Sequence, residues 1–85
     1  MRLLETAKFQ RLRKRLKDRQ EHDALKEAVL RILEDPSAGK KLKGEFKDLL
    51  SYRFQVRGQA RRLIYKRDGD TIALLSFGPR QGAYK

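Results

Sequence analysis

Apolar positions along this chain change period near its middle. In the first half they recur every three or four residues; from residue 50 onward they alternate with polar ones. Phe9, Leu12 and Leu16 stand at i, i+3 and i+7. That is one helical face, and its other positions are almost all charged, from Arg11 and Arg13 through Arg19. The spacing predicts a helix over about 7–19, with Thr6 as its N-cap. Leu25, Ala28, Val29, Ile32 and Leu33 repeat at i, i+3, i+4, i+7 and i+8, which predicts a second, half-buried helix. Asp23 is expected to cap its start. Pro36 ends it, because proline disfavours helical backbone in the residue before it. A short connection near 20–22 makes the two an antiparallel hairpin.

The second half reads as strands. Tyr52, Phe54 and Val56 alternate with Arg53, Gln55 and Arg57, a strand with one buried face. Gly58, Gln59 and Ala60 are expected to turn the chain into a strand carrying Arg62-Leu63-Ile64-Tyr65. Asp68-Gly69 is a hairpin signal, and residues 71–77 are apolar enough for a strand covered on both faces. Residues 1–5 predict a short first strand. In the basic loop Ser37–Gly44, Leu42 is expected to tuck inward while Lys40, Lys41 and Lys43 stay in water. Tyr52 and Tyr65 read as core or rim packing. The order β-α-α-β-β-β describes an α+β two-layer domain: an N-terminal antiparallel helix hairpin packed on a small, mainly antiparallel sheet. With 85 residues, one domain over 1–85 is expected.

Charge narrows the function. The net charge is +11, and both halves of the chain share the excess. Such a field attracts phosphate backbones and acidic proteins. The absence of cysteine excludes disulfides and thiolate metal sites, and no spacing of ligands suggests a metal or other cofactor. No stretch has the form of a signal peptide or the 18 apolar residues of a membrane span, so a soluble cytoplasmic protein without membrane contacts is expected.

Period-two geometry puts Arg53, Gln55 and Arg57 on one face of a strand, with Arg62 on the next and Arg80 after the third. In an antiparallel sheet these converge on its open face. There they either grip phosphates or simply solvate the sheet; the pattern alone leaves both open. The run from Arg11 to Lys17 is by default a solvated helix face. His22 has no companions for a metal site and reads as a turn residue. Tyr84, next to the chain end, carries no signal by itself.

Lys41-Leu42-Lys43-Gly44, Tyr52-Arg53-Phe54-Gln55-Val56, Arg62-Leu63-Ile64-Tyr65, Phe77-Gly78-Pro79-Arg80 and Ala83-Tyr84-Lys85 resemble the successive motifs of the RelE/ParE toxin superfamily. The likeness is strongest to RelE-type mRNA interferases, including archaeal and thermophile-like members that end in Pro-Arg-x-x-Ala-Tyr-Lys. It covers residues 41–85 by motif and the helices by topology. The resemblance implies the toxin of a type II toxin–antitoxin system, an endoribonuclease that cuts messenger RNA in the ribosomal A site. It implies Arg62 and Arg80 as catalytic arginines and Tyr84 as the residue that orients or activates the attacking group. RNA contacts are expected from Arg53, Gln55, Arg57, Arg61, Lys43 and Lys85. Gln55 stands where some members carry a lysine, and Arg61 would replace Arg62 if the register slipped by one. The expected partners are an acidic antitoxin and the ribosome, whose RNA would meet the basic helix residues. A ParE-like gyrase inhibitor and a non-enzymatic nucleic-acid-binding module are the alternatives. No metal is needed, because RNA supplies its own 2′-hydroxyl nucleophile.

Overall fold

A computed structural model describes residues 2–79 of the chain. The elements are β1 (Arg2–Glu5), α1 (Ala7–Lys14), α2 (Arg19–Glu34), β2 (Lys40–Lys41), β3 (Leu50–Val56), β4 (Gln59–Asp68) and β5 (Thr71–Pro79), with a 3-10 turn at Gly44–Phe46. The strands form one five-stranded sheet in the order β1-β5-β4-β3-β2. β1 runs parallel to β5, and the other neighbours are antiparallel. Both helices cover one face, giving the expected two-layer α+β architecture. Among the described residues no helix is long and apolar enough to cross a membrane.

The helix boundaries differ from the sequence expectation. Thr6 caps α1 as predicted, its hydroxyl accepting from the Phe9 amide. But α1 stops at Lys14, and Asp18 rather than Asp23 caps α2, its carboxylate accepting from the Gln20 amide at 3.0 Å. Asp18 has the extended backbone an N-cap needs, and Arg19, Gln20 and Glu21 are good helix formers, so the helix starts a turn earlier. Asp23 then lies within the helix and faces Arg19 across one turn. The connection falls at 15–18, and His22 belongs to the helix. The two-residue strand β2 is invisible to periodicity; it exists only through its pairing with β3, Lys40 opposite Ser51 and Lys41 opposite Leu50.

The core joins Phe9 of α1 and Leu25, Ala28 and Ile32 of α2 to Leu63 and Tyr65 of β4 and Ile72, Leu74 and Phe77 of β5. Phe9 meets Phe77 edge to face, with ring centroids 5.3 Å apart. Strand alternation alone would not put Leu74 and Phe77 on the same face. A bulge at Leu75 does so: Ile64 pairs with Ser76 while Tyr65 pairs with Leu74. Thr6 holds this spot, its amide donating to the Leu74 carbonyl at 3.1 Å and its hydroxyl at 2.9 Å.

Tyr65 is fully buried, and its polar end is satisfied. Its hydroxyl donates to the Pro36 carbonyl at 2.8 Å and accepts from the Gly39 amide at 2.9 Å. These bonds tie the segment after α2 to the sheet. A Cβ on Gly39 would sit 2.7 Å from the ring's Cε1, so that position needs glycine for close approach. Burial raises the Tyr65 pKa above its ordinary value, and the Gly39 hydrogen bond partly opposes the rise.

Candidate nucleic-acid interface

Cross-strand register decides where each arginine goes. Arg53 on β3 lies directly opposite Arg62 on β4, and Arg62 lies opposite Gly78 on β5. Leu63 and Tyr65 face the helices, so Arg62 faces away from them, onto the open face. Arg53 and Arg62 line a pocket of about 190 Å³ together with Lys40, Leu42 and Ser51. Among the described residues, no carboxylate lines it. Two like charges placed directly across an antiparallel pair weaken the sheet, and an anion held between them relieves that cost. Gly78, beside Arg62, adopts a φ of 152°, which favours glycine, and a Cβ built there meets none of the described residues within 4 Å.

The two neighbouring arginines do not join this floor. The β3–β4 connection is a two-residue turn of Arg57 (φ 53°) and Gly58 (φ 80°), with Val56 paired to Gln59. It lies one residue earlier than the predicted turn. Having left the strand, Arg57 no longer obeys its alternation. It reaches Asp18 at 2.7 and 2.9 Å and Gln20 at 2.8 Å, at the start of α2. This corrects its placement beside Arg53. Arg61 has the opposite parity to Arg62 and turns toward the helices, where its side chain is only 17% exposed and 3.4 Å from the Glu21 carboxylate. The register therefore puts Arg62, not Arg61, next to Arg53.

Gln55 is exposed on the same face as Arg53, two residues along β3, and Lys43 is exposed in the loop before the 3-10 turn. Of the basic helix residues, Arg13 is committed to Glu5 through two bonds of 2.7 and 3.1 Å, whereas Arg11, Lys14, Arg15 and Lys17 are exposed. Arg80, Tyr84 and Lys85 lie outside the described residues. Sequence reasoning missed Lys40, Leu42 and Ser51 as pocket residues. Lys40 reaches the pocket only because β2 pairs with β3.

A cationic open face under a helix hairpin is the setting in which comparison with other proteins becomes informative. Residues 3–85 match the model of a family described as the ParE-like toxin of type II bacterial toxin–antitoxin systems. The chain belongs to this family. No curated protein matches the toxin's sequence. Among solved structures, it is similar to the RelBE2 toxin–antitoxin complex of Mycobacterium tuberculosis, with a TM-score of 0.77, 25% identity and coverage of 93% of this chain and 96% of that one. It shares the fold of the Escherichia coli RelBE complex (TM-score 0.71, 23% identity, 92% and 94% covered). It also shares that of the isolated Escherichia coli RelE toxin (TM-score 0.70, 23% identity, 92% and 82% covered). Within the RelE/ParE superfamily, the toxin's architecture is RelE-like.

Proposed function

We propose that this toxin is a ribosome-dependent endoribonuclease that cuts messenger RNA in the A site and so blocks translation in the cytoplasm. The observation that carries the reading is the Arg53–Arg62 pair, held directly opposite by register in a pocket that Lys40 also lines. In the reaction the 2′-oxygen attacks the adjacent phosphorus, the bond to the 5′-oxygen breaks, and a 2′,3′-cyclic phosphate remains. Charge builds on the phosphoryl oxygens as the five-coordinate phosphorane forms. Guanidinium groups fixed in advance around it lower its energy, because they need no reorganisation as the charge appears. Arg62 and Arg80 are assigned to this clamp, with Arg53 steering the phosphate between them. Arg80 also donates a guanidinium proton to the leaving oxygen and is reprotonated at once from solvent. Tyr84 is assigned to orient or deprotonate the 2′-hydroxyl, the proton passing on to solvent. Gln55, Lys43 and Lys85 complete the RNA contacts, and the exposed basic residues of α1 meet ribosomal RNA.

The expected antitoxin is acidic. A second, largely apolar groove of about 280 Å³ lies between β1 and the helices, lined by Leu3, Phe9, Leu25, Val29 and Leu74 with His22, Lys26 and the ion-paired Glu5 and Arg13. An amphipathic acidic segment can lay its apolar side on this lining and set its carboxylates beside Lys26, with the Glu5 charge already taken up by Arg13.

Primer extension on a ribosome-bound message tests the proposal. The wild-type toxin should cut, whereas Arg62→Ala, Arg80→Ala and Tyr84→Phe should each lose most activity. Full activity in any variant removes that residue from the assignment. The ParE-like description of the matched family favours a second reading, gyrase inhibition. A supercoiling assay on gyrase, with messages left intact, would establish it instead. Salt-dependent RNA binding without cleavage or gyrase inhibition would mark a non-enzymatic binding module.

A further inference from the structure

The open face carries cations that the family motifs do not account for, Lys66 on β4 and Lys40 on β2, and of these Lys40 is the one that lines the pocket of Arg53 and Arg62. Lys40 sits on β2 opposite Ser51, in a cross-strand row that continues to Ile64 and Ser76. The next row in register on this face is Arg53, Arg62 and Gly78. The two rows lie two residues apart, roughly 7 Å at the rise of a strand. Lys40 and the two arginines nevertheless line one pocket. Lys40 is exposed, and no carboxylate among the described residues pairs with it. Its neighbour Lys41 points to the other face of β2, into a different pocket that includes Asp48 and Arg67.

We propose that Lys40 is a substrate-binding residue, gripping the phosphodiester next to the one held by Arg53 and Arg62, with Leu42 and Ser51 walling the space for the intervening nucleoside. The proposal rests on the reading of the open face as an RNA floor. A lysine suits this role because it is a point charge on a flexible stem and can follow a backbone phosphate without fixing its orientation. It also compensates for Gln55, which brings no charge to the same face. Phosphate is favoured over an acidic peptide because the cations fall in two adjacent rows roughly 7 Å apart, a spacing that successive phosphates of an extended strand can follow, and Leu42 is the one apolar side chain lining the pocket among the described residues.

The test measures binding of the full-length toxin to a 2′-O-methyl RNA decamer, which lacks a free 2′-hydroxyl and so is not cut, over a range of salt concentrations. Lys40→Gln should bind about five- to tenfold more weakly, with the slope of log affinity against log salt reduced by about 0.7. Lys40→Arg should restore binding. Lys41→Gln, on the opposite face of the same strand, should change it less than twofold, and unchanged melting temperatures should show that the fold is kept. Equal effects of Lys40→Gln and Lys41→Gln overturn the proposal. So does a Lys40→Gln variant that keeps decamer affinity but loses affinity for a polyglutamate peptide. The two levels of the reading separate cleanly. A toxin that needs Lys40 for the decamer but leaves translated messages intact upholds the phosphate site and refutes the nuclease. One that cuts messages, and binds the decamer equally well with and without Lys40, does the reverse.

Discussion

Arg61 and Arg62 are adjacent in sequence and chemically identical, yet they sit on opposite faces of one sheet and meet opposite surroundings. On the helix side, Arg61 and nearby Arg57 are met by Glu21 and Asp18, carboxylates of α2 and its cap. On the open side, Arg62 shares a pocket with Arg53, Lys40, Leu42 and Ser51, among the described residues. The helix side uses its arginines to dock α2 on the β3–β4 hairpin. On the proposed reading, the open side presents its cations to RNA. Strand parity thus sends neighbouring arginines to two different surroundings.

The largest expected effect would come from exchanging the two arginines' fates. Arg62→Ala should reduce message cleavage by about two to three orders of magnitude, the cost of losing a fixed donor to a developing charge. Arg61→Ala should leave cleavage within a few-fold of wild type. Primer extension on both variants reads this directly, and equal losses would break the contrast between the faces.

Next in size are disruptions of the helix-side core. Tyr65→Phe leaves the Gly39 amide and the Pro36 carbonyl without their partner and should cost about 1–3 kcal/mol in urea unfolding. Gly39→Ala drives a methyl group into the same ring and should cost about as much. Both should slow cleavage only as far as they unfold the protein.

Tyr65 also predicts an alkaline weakness. Its pKa in the folded protein lies above the unfolded value near 10. Its contribution to stability is therefore complete below about pH 10. It is lost as the pH rises through the folded pKa, because the unfolded chain releases the phenolic proton first. The stability gap between wild type and Tyr65→Phe should shrink over that range. A constant gap in urea midpoints would show that the ring's hydroxyl is not buried.

The smallest effect belongs to the helix-side ion pairs. Glu21→Gln should cost at most about 1 kcal/mol, since the pair with Arg61 is long and partly exposed, and Asp18→Asn should cost less. Neither should alter RNA binding. A loss of RNA affinity in either would mean that these arginines swing to the open face.

The fold was legible wherever a period ran long enough. Leu25 to Leu33 marked α2, the alternation from Tyr52 to Val56 marked β3, and Thr6 and Pro36 marked ends through their own chemistry. The start of α2 was not, because Asp18 and Asp23 are equally good caps in sequence and only the helix-forming stretch between them chooses. The site was half legible. The family motif favoured Arg62 but left Arg61 open to a slip of register, which only the observed pairing removes, and strand parity misplaced Arg57, whose left-handed turn conformation takes it off the strand's alternation. Lys40 was hidden because a two-residue strand has no period of its own.

The bulge at Leu75 carries a consequence for the site as well as the core. It works as a phase shift: one added residue inverts the in-out rhythm for the rest of β5. Were Leu75 deleted, the registers on either side could close up as they stand, with Leu74 still opposite Tyr65 and Ser76 still opposite Ile64. Were the strand instead to keep Leu75 and pair straight through, Ser76 would fall opposite Leu63, inside the core, and Phe77 opposite Arg62, an aromatic plug on the cationic floor. The irregularity that Thr6 pins in place is what keeps a phenylalanine under the helices and a glycine beside the arginine.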